Sequence, residues 1–201
     1  KGGKPVELDD AYANAAHIPG GAEYPARWAA QAAAFRAGAL CETDLPYGDS
    51  PRARFDLFHP DRLARGVVVF VHGGYWLRFD KSVWSHLAAG PLARGWAVAM
   101  PSYDLCPDAD IAQIGDQIAQ ALGVIAARAP GPVRLVGHSA GGQLVARMTA
   151  PRADARWHRR LAGVVAISPV ADLAPLMRTS MNADLRITPA LVLAESPVHL
   201  P

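Results

Sequence analysis

This sequence of 201 residues has only two cysteines, no long apolar run and almost no excess of charge of either sign. Its two cysteines, Cys41 and Cys106, are too few for a disulfide framework and lack the spacing of metal ligands, so we expect both to be reduced. The longest apolar runs are only as long as strands, which argues against a membrane-spanning helix. No apolar stretch follows the amino-terminal Lys1-Gly2-Gly3-Lys4, so we expect no secretory signal and a cytoplasmic location.

The formal net charge is only +2, with 20 basic and 18 acidic side chains, so no concentrated basic face is expected to bind nucleic acid or an anionic membrane. The one local basic cluster, Arg152, Arg156, Arg159 and Arg160, is interpreted as a solvated face rather than an anion site. Abundant alanine and arginine beside few lysines favour a bacterial source with a GC-rich genome.

Four mostly apolar runs have the length of strands that are buried on both faces, although the run at 133–136 contains Arg134. Segments with helical periodicity alternate with them, and a hairpin pattern over residues 39–59 comes first. This alternation predicts a single α/β domain over residues 1–201, with a mostly parallel sheet and helices on both faces. We expect the functional site at the carboxyl ends of the strands. The predicted strands are 66–71, 96–100, 133–136 and 164–167, and the predicted helices are 27–36, 82–94, 140–150 and one capped by Asp110.

A G-x-S-x-G motif, GHSAG at 137–141, lies between the third of these strands and the helix that follows it. In this strand–turn–helix context the motif predicts a nucleophilic serine, Ser139, at a strained turn. Side chains two residues before and two residues after the serine would crowd the turn, which explains Gly137 and Gly141. The N–H group of Ala140, at the start of the helix, is predicted to face a developing oxyanion.

A second glycine motif, His72-Gly73-Gly74-Tyr75-Trp76, directly follows the first of the four strands. Acyl transfer needs more than one N–H donor at the carbonyl oxygen, and a loop at this position supplies the others in nucleophile-elbow enzymes. We predict the N–H groups of Gly74 and Tyr75 as donors. Gly73 would shape the loop, and His72 would brace it through side-chain hydrogen bonds. Tyr75 and Trp76 either line an acyl or aryl pocket or pack the loop.

HGGYW at 72–76 together with GHSAG at 137–141 resembles the arylformamidase (kynurenine formamidase) branch of the α/β hydrolases and the bacterial esterases and lipases close to it. PSYDLCP at 101–107 and ISPVADL at 167–173 are similar to the same group. The resemblance implies an α/β-hydrolase fold and a serine hydrolase acting through an acyl-enzyme. It implies a small ester or an aryl formamide such as N-formylkynurenine as substrate, with no metal and no organic cofactor.

The resemblance also implies an acid and a histidine that follow the serine in the order Ser, Asp or Glu, His. In such proteins the acid usually follows the next strand and the histidine follows the last one. Residues 174–201 have the pattern of the helical excursion before that next strand. We therefore expect the last strands, the acid and the base beyond Pro201.

Three side chains within the sequence are the alternatives for the missing groups. Asp172 follows a strand end and could supply the acid in an unusual arrangement, while His158 or His199 could supply the base. Side chains interpreted as structural, or as less well placed, are His86, His138, Asp184 and Glu195.

The competing hypothesis of another class is a non-catalytic binding protein on a hydrolase scaffold. Such a protein would be expected to lack the nucleophile or the oxyanion loop, and both are intact here. No nucleotide-binding glycine motif is present. The expected partner is a small molecule, and an open sheet edge would make a homodimer plausible.

Overall fold

Six strands form one sheet in the computed structural model, which describes residues 6–150 and 156–200. The strands are β1 (Cys41–Pro46), β2 (Arg54–Phe58), β3 (Val67–Val71), β4 (Ala97–Pro101), β5 (Val133–His138) and β6 (Leu161–Ile167). Their order across the sheet is β1-β2-β4-β3-β5-β6. The hairpin strands β1 and β2 are antiparallel and β2 is antiparallel to β4, whereas β4, β3, β5 and β6 run parallel. The predicted hairpin and mostly parallel sheet are confirmed.

The helices are α1 (Tyr24–Gly38), α2 (Ala89–Ala93), α3 (Ile111–Arg128), α4 (Ala140–Arg147), α5 (Asn182–Leu185) and α6 (Pro189–Glu195). Asp110 caps α3 as predicted, because its carboxylate accepts the backbone N–H of Gln113 while the Gln113 side chain accepts that of Asp110. The predicted helical excursion after β6 is also present, as α5 and α6 with short 3-10 turns around them.

The prediction of one continuous helix over 82–94 is wrong. The structure has two 3-10 turns, Lys81–Val83 and Ser85–Ala88, before the short helix α2. Trp84 interrupts the helix with φ −118° and ψ 2°, and its buried ring lies 4.9 Å from the ring of Trp28 in α1. Burying this large ring against α1 has overridden the helical periodicity.

The centre of the sheet is buried on both faces, since every residue of β3 and β4 is buried. One face carries the larger core with α3 and α4, and the other carries a smaller aromatic core with α1. The sheet is more open at β6, where Val165 is 55% and Ile167 is 47% exposed. Among residues 6–150 and 156–200, no strand pairs with the outer edge of β6.

Two further expectations have a structural outcome. Cys106 is buried and Cys41 half-buried, and both are free thiols. Arg156 and Arg159 of the basic cluster are exposed, as expected of a solvated face, whereas Arg160 is half-buried and its guanidinium donates to the carbonyl oxygens of Ala126 in α3 and of Gly131. Arg152 lies outside the described residues. No helix in the described ranges is both long and apolar enough to cross a membrane.

Candidate active site

Ser139 occupies the sharp turn between β5 and α4. Its φ of 56° and ψ of −117° place it outside the regions that side chains with a Cβ favour. Three backbone hydrogen bonds hold the residue there. Its N–H donates to the Ile167 carbonyl at 3.0 Å, and its own carbonyl accepts the N–H groups of Gln143 at 3.1 Å and Val170 at 3.2 Å. The turn is thus fixed from both α4 and the segment after β6.

The glycines on either side of Ser139 leave no room for a side chain. A Cβ on Gly137 would collide with the Gly141 carbonyl, and a Cβ on Gly141 would collide with the carbonyls of Val71 and His72. These obstacles are backbone atoms, which cannot rotate away. The predicted crowding is therefore present, and it brings the first turn of α4 against the end of β3.

The loop at 72–76 meets the serine turn because β3 and β5 are neighbours in the sheet. A Cβ on Gly73 would lie 2.7 Å from the carbonyl oxygen of His138 and 3.0 Å from the Cβ of Ser139. Only a glycine allows the loop to approach the serine this closely. The two motifs therefore form a single site at the carboxyl edge of the sheet.

The loop itself is a tight turn with three consecutive residues in the left-handed region. The φ values of Gly74, Tyr75 and Trp76 are 115°, 53° and 56°, and the N–H groups of Leu77 and Arg78 both donate to the Gly74 carbonyl. The side chain of Trp76 is fully buried, and that of Tyr75 is almost buried with its hydroxyl donating to the Tyr12 carbonyl at 3.2 Å. Of the two alternatives for Trp76, packing of the loop is the one observed.

His72 braces this loop from below. Its Nδ1 lies 2.8 Å from the Gly73 carbonyl, and its ring stacks on Tyr103 with the centroids 4.4 Å apart. The Tyr103 hydroxyl donates to the His72 carbonyl at 2.8 Å. Burial lowers the pKa of His72 to about 4, so the imidazole is neutral near pH 7 and can donate from Nδ1 to Gly73. These contacts match the bracing predicted for His72.

Ala140 begins α4 and is fully buried directly beside Ser139. Gly74 and Tyr75, in the loop beside the serine turn, carry the other two predicted donor N–H groups. The assignment of these three N–H groups to an oxyanion remains a prediction.

Among residues 6–150 and 156–200, no hydrogen bond joins Asp172, His158 or His199 to the Ser139 side chain. The exposed Asp172 accepts the N–H of Ala174 at 2.9 Å, and His158 Nε2 lies 3.3 Å from the Thr149 carbonyl. His199 is exposed in a 3-10 turn. Within the described ranges, no hydrogen bond joins a histidine to the Ser139 hydroxyl. The same ranges contain no cluster of three or more metal-ligating side chains.

Sequence reasoning missed a buried polar network behind the serine. Gln143 of α4 donates to the carbonyl of Glu195, and Arg147 forms an ion pair with the Glu195 carboxylate. Ser196, also buried, accepts the N–H of Leu173. A polar residue within the apolar stretch of α4, such as Gln143, was the only available signal, because its partner lies 52 residues further along the chain.

A family profile described as the alpha/beta hydrolase fold matches residues 68–196, well over half of the chain. A kynurenine formamidase of Danio rerio is 27% identical over 173 residues, covering 81% of this chain and 58% of its own length. A kynurenine formamidase of Drosophila melanogaster is 35% identical over 111 residues, covering 52% of this chain and 36% of its own length. The chain thus spans less than two thirds of these curated relatives.

Solved structures show the same architecture. A protein from Silicibacter sp., provisionally described as a thioesterase, has a TM-score of 0.95 and 52% identity, covering 98% of this chain and 76% of its own. A hyperthermophilic esterase from the archaeon Pyrobaculum calidifontis has a TM-score of 0.67 and 19% identity, covering 90% of this chain and 68% of its own. At that lower identity the likeness shows the fold alone.

Proposed function

Because the chain belongs to the α/β-hydrolase fold family, we propose that the protein is a serine hydrolase with Ser139 as its nucleophile. The observation that supports this most directly is the geometry of Ser139, a serine at φ 56° directly beside Gly73 of the second glycine loop. A strained backbone at a ligand-accessible turn persists only where the surrounding structure enforces it, and such positions cluster at active sites.

In the proposed mechanism the Ser139 hydroxyl attacks the substrate carbonyl, and a histidine takes its proton. The developing oxyanion would accept hydrogen bonds from the N–H groups of Ala140, Gly74 and Tyr75. The histidine then protonates the leaving group, and the bond between the carbonyl carbon and the leaving group breaks. Water attacks the acyl-enzyme with help from the same histidine and releases the acid and the free serine.

We propose that the acid and the histidine of this mechanism come from residues beyond Pro201. The open face of β6, with Val165 and Ile167 exposed, supports a continuation of the domain on this side. Loss of a single triad member typically removes several orders of magnitude in rate, so both the acid and the histidine would be needed for fast turnover.

The proposed substrate is a small carboxylic ester or an aryl formamide of the N-formylkynurenine type. The relatives named kynurenine formamidase support the formamide, whereas the esterase named above shares only the fold. On a formamide, the C–N bond would break, the aryl amine would leave with a proton, and the formyl group on Ser139 would be released by water as formate.

The experiment that tests the function is labelling of Ser139 with a fluorophosphonate, followed by intact mass and peptide mapping, in the full natural polypeptide. A single adduct on Ser139 that disappears in Ser139→Ala supports the nucleophile. Hydrolysis of N-formylkynurenine should then be compared with that of a nitrophenyl acetate. Fast acetate cleavage without formamide turnover would exclude the formamidase, and absence of both adduct and turnover would favour a non-catalytic scaffold.

A further inference from the structure

We infer that Glu195 is a positioning residue for the nucleophile turn, acting through Arg147 and Gln143 of α4. The inference rests on the proposed function, because it assigns these residues a role in keeping Ser139 reactive. They belong to the buried polar network behind the serine, and within the described ranges the hydrogen bonds of their side chains join them to one another rather than to the serine hydroxyl.

Two side chains of α4 form hydrogen bonds with Glu195. Gln143 and Arg147 follow Ser139 by four and eight residues, so both lie on the helix face below it. Gln143 Nε2 donates to the main-chain carbonyl of Glu195 at 2.9 Å. Arg147 donates to the Glu195 carboxylate through Nε at 3.0 Å and through Nη2 at 3.3 Å. One residue at the end of α6 therefore holds two turns of the nucleophile helix.

The side chains of this network are largely shielded from solvent. Gln143 is 0% and Glu195 is 7% exposed, and the Arg147 side chain is 15% exposed. A buried ion pair contributes little net stability, because desolvation of both charges offsets their attraction. Its two-pronged geometry does restrict orientation, since a planar guanidinium fits a carboxylate in only a few arrangements. The arrangement is therefore better suited to fixing the position of α4 than to stabilising the fold.

Further hydrogen bonds connect Glu195 and its neighbours to the serine through the segment after β6. The Ser196 hydroxyl, next to Glu195, accepts the N–H of Leu173 at 3.0 Å, and Val198 donates to the Ala171 carbonyl. The same segment after β6 supplies the Val170 N–H that donates to the Ser139 carbonyl at 3.2 Å. The Ser139 carbonyl also accepts the Gln143 N–H of α4. Glu195 and Ser196 therefore anchor the two segments that donate to this carbonyl, α4 and the segment after β6.

The consequence is that Glu195 restrains the residue with the strained backbone. Ser139 keeps its left-handed φ only while α4 and the segment after β6 hold it from two sides. Breaking the contacts of Glu195 would let the Gln143 and Val170 N–H groups shift away from the Ser139 carbonyl. A shift of about 1 Å in a reacting group can cost on the order of a hundredfold in rate.

The test uses the full natural polypeptide and compares Glu195→Gln with Asp56→Asn as the matched control. Asp56 is 1% exposed and also forms a buried ion pair, with Lys81 at 2.7 Å, but it lies on β2 away from the serine. Each variant is assayed for kcat, KM and fluorophosphonate labelling rate, well below its unfolding midpoint. We expect kcat and labelling to fall roughly ten- to a hundredfold in Glu195→Gln with KM little changed, and neither to fall in Asp56→Asn. Arg147→Lys, which keeps the positive charge opposite the intact Glu195 carboxylate, should lower kcat and labelling less than Glu195→Gln does.

A second measurement keeps the inference separate from the proposed function. Hydrogen exchange of the Gln143 and Val170 amides should accelerate in Glu195→Gln and stay unchanged in the control, whether or not the protein turns over. If Glu195→Gln does not fold, Glu195→Gln combined with Arg147→Met removes both charges, and it should show the same faster exchange. Unchanged labelling and exchange in a folded variant would overturn the inference, whereas a wild-type protein without turnover would overturn only the proposed function.

Discussion

The two glycine turns of the site are built in opposite ways. In the serine turn at 137–141, the strained φ belongs to Ser139, and the flanking glycines are needed because backbone atoms fill the space of any Cβ. In the loop at 72–76 the strain is distributed over Gly74, Tyr75 and Trp76, and side chains hold the turn from outside. Backbone atoms crowd the glycines of both turns, but only the second turn also depends on side-chain contacts that can be removed singly.

This difference suggests that the serine turn should tolerate almost no change, whereas the loop should be adjustable. Backbone atoms in a packed sheet cannot move without displacing whole elements. A hydrogen bond or a ring stack can be removed singly, at a cost that depends on whether a buried partner is left unpaired. Four predictions test this contrast.

The largest effect is expected from Gly141→Ala. The new methyl group would collide with the carbonyls of Val71 and His72, so we expect the free energy of unfolding to fall by about 3 kcal/mol or more. Denaturant unfolding measures it, with Gly123→Ala as control, because no atom lies within 4 Å of that Cβ position on α3 and alanine there favours the helix. Equal stability of the two variants would contradict the packing argument.

The second prediction concerns pH and the brace under the loop. Burial lowers the pKa of His72 from 6.5 to about 4, so between these values the unfolded state binds more protons than the folded state. Stability from this group is complete above pH 6.5 and falls as the pH drops towards 4, by up to roughly 1.4 kcal/mol per pH unit. The free energy of unfolding, measured by chemical denaturation at several pH values in this range, should change less steeply with pH in His72→Asn than in the wild type. An identical pH dependence in the two proteins would refute the lowered pKa of His72.

The third prediction concerns the place where the two turns meet. A methyl group on Gly73 would lie 2.7 Å from the His138 carbonyl and 3.0 Å from the Ser139 Cβ, so the loop must move away. We expect Gly73→Ala to lower kcat by about a hundredfold, as loss of an oxyanion donor does, with a smaller loss of stability than Gly141→Ala. Gly90→Ala in α2, where nothing lies within 4 Å, should leave kcat unchanged. Unaltered kcat in Gly73→Ala would show that the loop does not serve the serine.

The smallest effect is expected from Tyr75→Phe. The hydroxyl donates to the Tyr12 carbonyl at 3.2 Å, which is a neutral and only partly buried hydrogen bond. Its loss should cost about 0.5–1.5 kcal/mol in unfolding free energy and leave kcat nearly unchanged. A large fall in kcat would instead mean that the tyrosine side chain, and not only its N–H group, acts on the substrate.

Much of the fold was predictable from local patterns. The runs of β-branched residues predicted β3 and β4 correctly to within a residue at each end, and Asp110 predicted the start of α3. The interruption of the predicted helix over 82–94 could not be predicted from local patterns. It results from the burial of Trp84 against Trp28, which lies in α1, much earlier in the chain. At the site, the order of the two motifs predicted that they would form one site, and the structure adds the close approach of Gly73 to Ser139.

By itself, the sequence determined the strands, most of the helices and the two turns, because these follow from short-range periodicity and from glycines at fixed spacing. Only the tertiary structure decided what holds the turns: the neutral, stacked imidazole of His72 and the network of Gln143, Arg147 and Glu195 behind the serine. These contacts join residues that are 31 to 52 positions apart. Whether a polar side chain is buried and paired depends on which distant elements pack against it, and no local pattern contains that information.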